Sequence, residues 1–251
     1  MSKIEELVKI IKESRHIVFF GGAGVSTESN IPDFRSPTGI YNVRNRVESL
    51  KNTNYTPEEM ISHSFFMKHT NLFFDYYFDS LVYPDAKPNY AHIFLALMEK
   101  NKMLDVVITQ NIDGLHQDAG SINVIELHGS VRRNYCMNCH HFVDGKEMLK
   151  LRGKCDICGG IIKPDVVLYE ESLNMEDIEK AIAYISNADC LIVGGTSLQV
   201  YPAASFVRFF KGKNLVIINK EKTPMDIYAK LCINDSIGVT FKKVNDILGL
   251  K

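Results

Sequence analysis

Short apolar segments recur along the chain, and each one ends in small or polar residues. Most are continuously apolar rather than alternating, which is typical of parallel strands covered on both faces. The strands predicted from them are Ile17–Phe20, Val106–Thr109, Val124–Leu127, Val166–Tyr169, Leu191–Val193 and Leu215–Ile218. Helical patterns between some of these strands are Tyr90–Lys100, Met175–Ser186 and Pro202–Lys211. This alternation predicts an α/β fold with a doubly wound parallel sheet, whose ligands bind at the carboxyl ends of the strands.

Two segments interrupt the alternation of strands and helices. Residues 41–84 are rich in aromatic residues and have a helical character, whereas residues 131–163 contain four cysteines. We therefore predict that residues 1–40, 85–130 and 164–251 form one large domain. The helical module (41–84) and the cysteine-containing module (131–163) are predicted to be inserted into it.

The four cysteines, Cys136, Cys139, Cys155 and Cys158, follow a C-x2-C-x15-C-x2-C pattern. Paired cysteines at this spacing are typical of a tetrahedral zinc site, and disulfides are the alternative. Four thiolates fill the coordination shell and leave no position for a reacting water, so we predict a structural zinc ion. Because a module this small cannot bury a core of its own, the metal would supply its folding energy.

Composition and charge argue against several classes of protein. The net charge of −1 gives no global attraction to nucleic acid or anionic membranes, and a solvated surface is the simpler interpretation of the mildly basic zinc module. No apolar run is long enough to span a membrane, and the amphipathic helix predicted in residues 1–16 is too charged for a signal peptide. Cys190 and Cys232 are predicted to be buried thiols, which favours a cytoplasmic protein. No heptad pattern indicates obligate assembly, so we expect a monomer.

The first predicted strand leads into a glycine-rich segment, Gly21–Thr27. Gly22 and Gly24 allow a tight turn and a close approach of backbone N–H groups to phosphate oxygens, although a simple turn is the alternative. The usual dehydrogenase fingerprint is incomplete, because a third glycine and a clear acidic residue after the second strand are missing. Phe34 and Arg35 follow, where the arginine could bind a phosphate and the phenylalanine could cover a flat ring.

Polar residues also follow the later strands. Gln110–Asp113 would suit a carboxamide or ribose ligand, although Asp113 could instead cap the helix that follows. His128 ends its strand just before a glycine and is a candidate base at neutral pH, with a structural role as the alternative. Thr196–Ser197 and Asn219 follow two further strands and would suit phosphate or ribose. Each of these residues has a structural explanation by itself, but their coincidence at successive strand ends predicts one ligand site.

The chain resembles the sirtuin family of NAD-dependent protein-lysine deacylases over residues 17–224. The resemblance rests on an ordered set of motifs: GAGVSTESNIPDFRS, TQNIDGLH, ELHGS, CxxC…CxxC, KPDVVLYEE, GGTSL and INKEKTP. It implies a Rossmann-like large domain and a smaller domain made of a helical module and a four-Cys zinc module. The cleft between the domains would hold NAD and an acylated lysine of a protein or peptide substrate.

The resemblance also implies roles for individual residues. His128 and Asn111 would be catalytic. The residues expected to bind NAD are Ala23, Thr27, Phe34, Arg35, Gln110, Asn111, Ile112, Asp113, His128, Thr196, Ser197 and Asn219, with a further adenine contact within Cys232–Ile237. The residues expected to bind the substrate are Val166 and Val167, which would line the acyl-lysine tunnel, and Leu168, Tyr169 and Glu170, which would offer an edge to the peptide backbone by strand addition.

The implied activity is NAD-dependent protein deacetylation, in which NAD is consumed as a co-substrate and no hydride moves. The products would be nicotinamide, O-acetyl-ADP-ribose and the deacylated lysine, and neutral His128 would take a proton from the ribose. A mono-ADP-ribosyltransferase on the same scaffold is the first alternative. A non-catalytic NAD-sensing zinc module is the second.

The expected acyl group is acetyl or a longer apolar acyl group. The branch of the family that removes succinyl and malonyl groups uses a tyrosine and an arginine in the helical module to hold the acyl carboxylate, whereas Phe65–Ser80 contains no arginine. We expect Asp75 and Asp79 in that stretch to repel an acidic acyl group. The chain has Leu168-Tyr169-Glu170 where many relatives have Phe-Phe-Gly, so its peptide contacts are expected to differ there.

Overall fold

The computed structural model describes residues 1–34, 36, 39–42 and 55–251, and a parallel sheet of six strands lies at the centre of this part of the chain. In chain order the strands are β1 (Ile17–Gly21), β2 (Val106–Thr109), β3 (Val124–Glu126), β4 (Gly129–Cys136), β5 (Phe142–Asp144), β6 (Ile162–Val166), β7 (Cys190–Gly194), β8 (Asn214–Ile218) and β9 (Leu231–Ile233). The parallel sheet has the order β3-β2-β1-β7-β8-β9, so the chain leaves β1 on one side and returns on the other. Ligands bind at such a switch point in open α/β sheets.

Helices cover both faces of this sheet. In chain order the α-helices of the described residues, including those outside this sheet, are α1 (Lys3–Glu13), α2 (Pro57–Met60), α3 (His63–Lys68), α4 (Thr70–Ser80), α5 (Tyr90–Lys100), α6 (Leu115–Asp118), α7 (Gly145–Leu151), α8 (Met175–Asn187) and α9 (Ile237–Leu248). Helices α1, α5 and α9 pack around Phe19 on one face. Helix α8 and a 3₁₀ helix, Ala203–Phe209, pack on the other face around Phe20, because successive strand residues point to opposite sides.

A second, antiparallel sheet has the order β5-β4-β6 and shares a third core with the helical segment. In that core Phe66, Phe73 and Tyr77 of α3 and α4 pack in one cluster with Cys136 and Val166. Strand β4 starts directly after His128, close to the end of β3, and runs out to the cysteines. The small sheet is therefore connected to the large sheet at the carboxyl ends of its strands, where the predicted site residues lie.

The predicted fold class is confirmed. The strands expected at β1, β2, β3, β7 and β8 and the helices expected at α5 and α8 have bounds within one residue of the prediction. In the part of the chain that the structure describes, no helix is both long and apolar enough to cross a membrane.

Two of the expected elements are wrong. The strand predicted at Val166–Tyr169 is instead β6, which ends at Val166 and belongs to the antiparallel sheet, because it pairs with β4. The helix predicted at Pro202–Lys211 is the 3₁₀ helix, Ala203–Phe209.

Candidate active site

A cleft of about 710 Å³ opens at the carboxyl ends of the central strands. The strand ends lie level, because Gly21 pairs with Thr109 on one side and with Gly194 on the other. The sequence-predicted residues that line the cleft are Ala23, Thr27, Phe34, Gln110, Asn111, Ile112, Asp113, His128, Val166, Val167, Leu168, Tyr169, Thr196, Ser197 and Asn219. Arg35 lies outside the described residues.

The glycine-rich turn after β1 packs directly against the end of β7. The N–H of Gly22 donates to the carbonyl of Gly194 at 3.2 Å, and that of Gly24 donates to the carbonyl of Gly195 at 2.8 Å. A Cβ at Gly24 would lie 2.7 Å from Gly195 Cα, so this approach requires glycine. Both of these N–H groups are bonded within the protein, so a phosphate contact, which stays a prediction, falls to other N–H groups of the motif. Backbone packed on backbone therefore forms the floor of the cleft here.

Ser26 joins two predicted site residues into one hydrogen-bond network. Its hydroxyl donates to Asp113 Oδ2 at 2.6 Å and accepts from Asn111 Nδ2 at 3.0 Å. The other carboxylate oxygen, Oδ1, accepts from the backbone N–H of Leu115 at 2.9 Å, at the start of α6. The N-cap of α6 is Gly114 rather than Asp113, so the capping interpretation is wrong, but the Asp113 carboxylate still accepts from the first N–H of the helix and lines the cleft.

Two buried histidines lie behind this network. His92 Nδ1 accepts from the N–H of Asn89 at 3.2 Å, which places the ring proton on Nε2, 3.5 Å from Ser26 Oγ. His116 packs edge-on against His92, with ring centroids 4.7 Å apart. Burial lowers the pKa of His92 to about 4 and lowers that of His116 well below its usual value. Both rings are therefore neutral at pH 7.

His128 lines the cleft with its tautomer fixed. Its Nδ1 lies 2.9 Å from the carbonyl oxygen of Gln110. Because a carbonyl only accepts, Nδ1 carries the proton and Nε2 carries the lone pair. Burial lowers the pKa of this imidazole, and the bond to Gln110 offsets part of that shift. The ring is therefore neutral at pH 7, as a general base requires.

The residues that follow β7 and β8 are held by local hydrogen bonds. Thr196 Oγ1 lies 3.3 Å from Gln110 Nε2, which donates to it. Asn219 Nδ2 donates to a backbone carbonyl two residues further on, at 2.8 Å. Within the expected adenine contact, Cys232–Ile237, the residues that line the cleft are 235–237, where α9 starts.

The segment after β6 forms another wall of the cleft. The N–H of Leu168 donates to Glu171 Oε2 at 2.9 Å. The N–H of Tyr169 donates to the carbonyl of Ile61 at 3.0 Å, beside the helical segment. These two N–H groups are therefore bonded within the chain itself, and the edge expected for a peptide backbone at Leu168–Glu170 stays a prediction.

Glu170 stands where the resemblance leads one to expect glycine, and its φ of +76° lies in the left-handed region that favours glycine. Its carboxylate accepts from the backbone N–H of Ser64 at 2.8 Å and from the Ser64 hydroxyl at 2.9 Å. These two bonds compensate for the backbone strain and tie the wall to α3.

The carboxylates near the acyl-lysine wall are not the expected ones. Asp75 and Asp79 do not line the cleft, so the expectation that they repel an acidic acyl group is wrong. Glu170 and Glu171 line it instead. Glu171 is partly neutralised, because Lys163 Nζ lies 3.1 Å from its second carboxylate oxygen.

The four cysteines beside the antiparallel sheet come together. Their sulfur atoms all lie within 4.8 Å of one another, and the cysteines are free thiols. The Sγ atoms of Cys136 and Cys158 are 3.4 Å apart and those of Cys139 and Cys155 are 3.8 Å apart, well beyond a disulfide bond. A tetrahedron with Zn–S bonds of about 2.3 Å has edges of about 3.8 Å, so these residues fit a structural zinc ion.

Comparison with known proteins agrees with this geometry. The model of the Sir2 family matches residues 22–202. The chain is 56% identical over 252 residues to an NAD-dependent protein deacetylase of Clostridium tetani, and the match covers 99% of this chain and 100% of the relative. The chain belongs to the Sir2 family.

A Sir2 structure with deacetylated p53 peptide and 3′-O-acetyl ADP ribose is 36% identical, with a TM-score of 0.89 and 100% of both chains covered. A Sir2 structure with p53 peptide and NAD+ is 36% identical, with a TM-score of 0.84 and 99% of each chain covered.

Several residues of this Sir2 family site were missed by sequence reasoning. Ser26 lies in the glycine-rich motif, two residues after Gly24, and its hydroxyl was the available signal. His92 gave no signal, because it lies within the apolar pattern of α5. Residues 199–201 also line the cleft, and Tyr201 is 65% exposed. The signal in the sequence was a tyrosine shortly after the GGTSL motif.

Proposed function

We propose that the cleft catalyses NAD-dependent deacylation of protein lysine residues, with acetyl-lysine as the principal substrate. The observation that carries the proposal is the neutral ring of His128, held by the Gln110 carbonyl in the cleft of a Sir2 family chain. NAD, when bound, supplies the ADP-ribosyl group that takes up the acyl group as nicotinamide leaves. The products are nicotinamide, O-acetyl-ADP-ribose and free lysine.

The strand ends of the large sheet bind NAD. Asp113 and Asn111 serve the carboxamide and the neighbouring ribose, since Ser26 presets the orientation of both side chains. Phe34 shields the reacting end of the site, while Thr196 and Asn219 serve the adenosine half. The positive end of α9, a helix of 12 residues, lies near that half and favours negative charge.

His128 is the general base. Its Nδ1 proton is committed to Gln110, so Nε2 accepts a proton from a ribose hydroxyl. The same hydrogen bond fixes the plane of the ring, which keeps Nε2 aimed without a further loss of side-chain entropy on binding. Burial favours the neutral ring before the reaction, so the base is ready at neutral pH.

Val166 and Val167 receive the acyl-lysine. Their apolar side chains favour an uncharged acyl group. Glu170 and Glu171 add negative charge to the same wall and disfavour succinyl or malonyl groups. Acetyl and longer apolar acyl groups therefore remain the proposed substrates, although the acidic residues that act are not those expected from the sequence.

We also propose that the chain is divided into a large and a small domain at the boundaries predicted from the sequence. The third core supports a small domain of residues 41–84 and 131–163, because it joins the helical segment to the cysteine-containing sheet. Zinc supplies folding energy there and takes no part in the reaction. The thiols of Cys190 and Cys232, which lie outside the zinc site, support a reducing, cytoplasmic setting. A monomer suffices, since one chain supplies every residue that lines the cleft.

The test incubates zinc-loaded protein with NAD and an acetyl-lysine peptide, and mass spectrometry identifies the products. We expect equimolar nicotinamide, O-acetyl-ADP-ribose and deacetylated peptide, with inhibition by added nicotinamide. His128→Ala should lose turnover by at least about a hundredfold, the typical contribution of a general base, while NAD binding by calorimetry changes little. A succinyl-lysine peptide of the same sequence tests the acyl preference.

Other products would identify the alternatives. ADP-ribose attached to the protein or peptide, without acetyl-ADP-ribose, would indicate a mono-ADP-ribosyltransferase. Binding of NAD without release of nicotinamide would indicate a non-catalytic sensor. Full turnover by His128→Ala would remove His128 from the mechanism, and faster desuccinylation than deacetylation would overturn the acyl preference.

A further inference from the structure

Arg132 connects the small sheet to the cofactor side of the cleft. It lies on β4, and its guanidinium donates to both carboxylate oxygens of Asp118 in α6. The Nη1–Oδ1 distance is 2.7 Å, and Nε donates to the backbone carbonyl of Asp113 at 3.2 Å. One side chain thus holds both ends of the Asp113–Asp118 segment. Bidentate pairing of this kind fixes geometry as well as charge.

The turn that Arg132 supports is tight. Gly114 has a φ of +73°, and a Cβ there would collide with the guanidinium of Arg132. Glycine is therefore needed both for the backbone conformation and for the approach of the arginine. The same turn aims the two carboxylate oxygens of Asp113, one at Leu115 N–H and the other at Ser26 Oγ.

The backbone of β4 is bonded to the same segment. The N–H of Val131 donates to the carbonyl of Ile112 at 3.0 Å, one residue before Asp113. The strand then continues to Cys136, one of the four zinc-site cysteines. The position of Asp113 is therefore set from two directions, by Ser26 of the glycine-rich motif and by strand β4.

The ion pair itself contributes little to stability. The side chains of Arg132 and Asp118 are 41% and 40% exposed, and pairs at this exposure are typically worth less than about 1 kcal/mol. Neither residue lines the cleft. The distinctive feature of the arrangement is the third hydrogen bond, from Nε to the Asp113 carbonyl. This bond is not part of the ion pair with Asp118, and it joins Arg132 directly to the backbone of a residue that lines the cleft.

We propose that Arg132 is a positioning residue for NAD, which acts by fixing the Asp113–Gly114 turn from strand β4. The inference rests on the proposed role of Asp113 at the nicotinamide carboxamide. Without Arg132 the turn keeps its bonds to Leu115 and Ser26 but loses its support from β4. Asp113 then samples orientations that do not match the ligand, and NAD binding must restrict them again.

The test compares Arg132→Ala with Arg133→Ala in zinc-loaded protein. Arg133 is the next residue of β4 and pairs with Glu126 at 2.6 Å and Asp165 at 2.7 Å, so its loss is a matched control for an arginine ion pair. The readouts are the Kd for NAD by calorimetry and the Tm. We expect Arg132→Ala to weaken NAD binding about tenfold, the scale of one charge-assisted hydrogen bond. Arg133→Ala should leave the Kd within about twofold, even though the Glu126 side chain is only 7% exposed and the Tm falls further.

Two further variants separate positioning from charge. Arg132→Lys keeps the charge but lacks the fork that serves Asp118 and the Asp113 carbonyl together, so we expect it to recover Tm without recovering NAD affinity. Asp118→Ala removes the anchor of the guanidinium. Its effect on NAD affinity should not add to that of Arg132→Ala in the double variant, because the two residues act as one unit.

Equal losses of NAD affinity in Arg132→Ala and Arg133→Ala would overturn the proposal, and so would full recovery by lysine. Calorimetry needs no turnover, so this result stands apart from the proposed function. If the unmodified protein releases no nicotinamide, the proposed function fails while the comparison of NAD affinities still decides the role of Arg132. If turnover is normal and the affinities are equal, only the positioning role fails.

Discussion

The hydroxyl groups of Tyr41 and Tyr169 lie 3.1 Å apart and share a hydrogen bond between two segments that line the cleft. Tyr41 also packs edge-on against Phe34, with ring centroids 5.5 Å apart. The contact thus joins the proposed acyl-lysine wall to the segment that carries an expected NAD contact. Tyr169 supplies one of the two hydroxyls, so the link depends on this residue.

Tyr169→Phe removes only that oxygen. We expect the KM for NAD to rise about two- to fivefold with little change in Tm, because an exposed hydrogen bond of this kind is worth about 0.5–1 kcal/mol. Tyr41→Phe is the matched variant, because it removes the other partner of the same hydrogen bond. The double variant should therefore raise the KM for NAD by less than the product of the two single effects. Strictly additive effects on KM would show that the two hydroxyls act independently.

The activity should depend on pH through His128. A base must be neutral, so kcat/KM falls as pH drops through the pKa of the ring. Because burial lowers that pKa, the acid limb should lie below the usual value of about 6.5, and the rate should be flat from pH 7 to 8. A profile of kcat/KM from pH 5 to 8 measures the midpoint. A midpoint above 7 would contradict the neutral base.

The buried pair His92 and His116 should make the fold sensitive to mild acid. Their folded pKa values lie below the unfolded value, so the unfolded chain binds more protons and stability is lost as pH falls below about 6.5. Each histidine contributes a slope of up to about 1.4 kcal/mol per pH unit. Urea unfolding at pH 7, 6 and 5 measures the slope. His116→Gln should reduce the slope of the unfolding free energy with pH by the contribution of one proton. An unchanged slope would count against the role of His116.

Removal of zinc should disable the substrate wall. Cys136 and Cys155 belong to the same core as Val166 and Leu168, so loss of the metal loosens the wall on which acyl-lysine is proposed to bind. We expect Cys158→Ser to lower the bound zinc and reduce deacetylation more than tenfold. Cys232→Ser is the control, because that thiol lies outside the cysteine cluster. Metal content and peptide turnover are measured on the same preparations, and an active zinc-free protein would contradict the prediction.

Two substitutions of Glu170 can separate the effect of its left-handed backbone on the free energy of unfolding from the effect of its side-chain hydrogen bonds. Glu170→Ala and Glu170→Gly both lose the bonds to Ser64, but only glycine adopts a φ of +76° without strain. We therefore expect the glycine variant to be more stable than the alanine variant by about 1 kcal/mol. Urea unfolding compares the two. Equal stabilities would mean that the segment changes conformation once the carboxylate is gone.

The central strands were predictable because burial on both faces leaves an unbroken apolar run, as in β1 and β2. The strand predicted at Val166–Tyr169 was misplaced for the same reason, since β6 is Ile162–Val166. Val166–Tyr169 continues as an apolar run, but Glu171 and Ile61 take the backbone N–H groups of Leu168 and Tyr169. Local pattern cannot reveal a partner that lies more than 100 residues away in the sequence.

The site residues at strand ends could be read from the sequence because the topology brings such positions together. Ser26 offered only its hydroxyl within the glycine-rich motif and His92 offered no signal, since the contact between them joins that motif to a helix 66 residues further on. Arg132 lies in the mildly basic zinc module, where its local sequence pattern does not distinguish it. Its bonds to Asp118 and the Asp113 carbonyl exist only once β4 has been placed beside α6.

The contact between Gly24 and Gly195 limits how this protein can be redesigned. A methyl group on Gly24 would strike the backbone of Gly195, and one on Gly195 would strike that of Gly24, so neither site tolerates diversification. A library intended to accept altered dinucleotides should therefore leave both positions constant. Variation belongs at Ala23, Thr27 and Asn219, whose side chains border the same space without closing it.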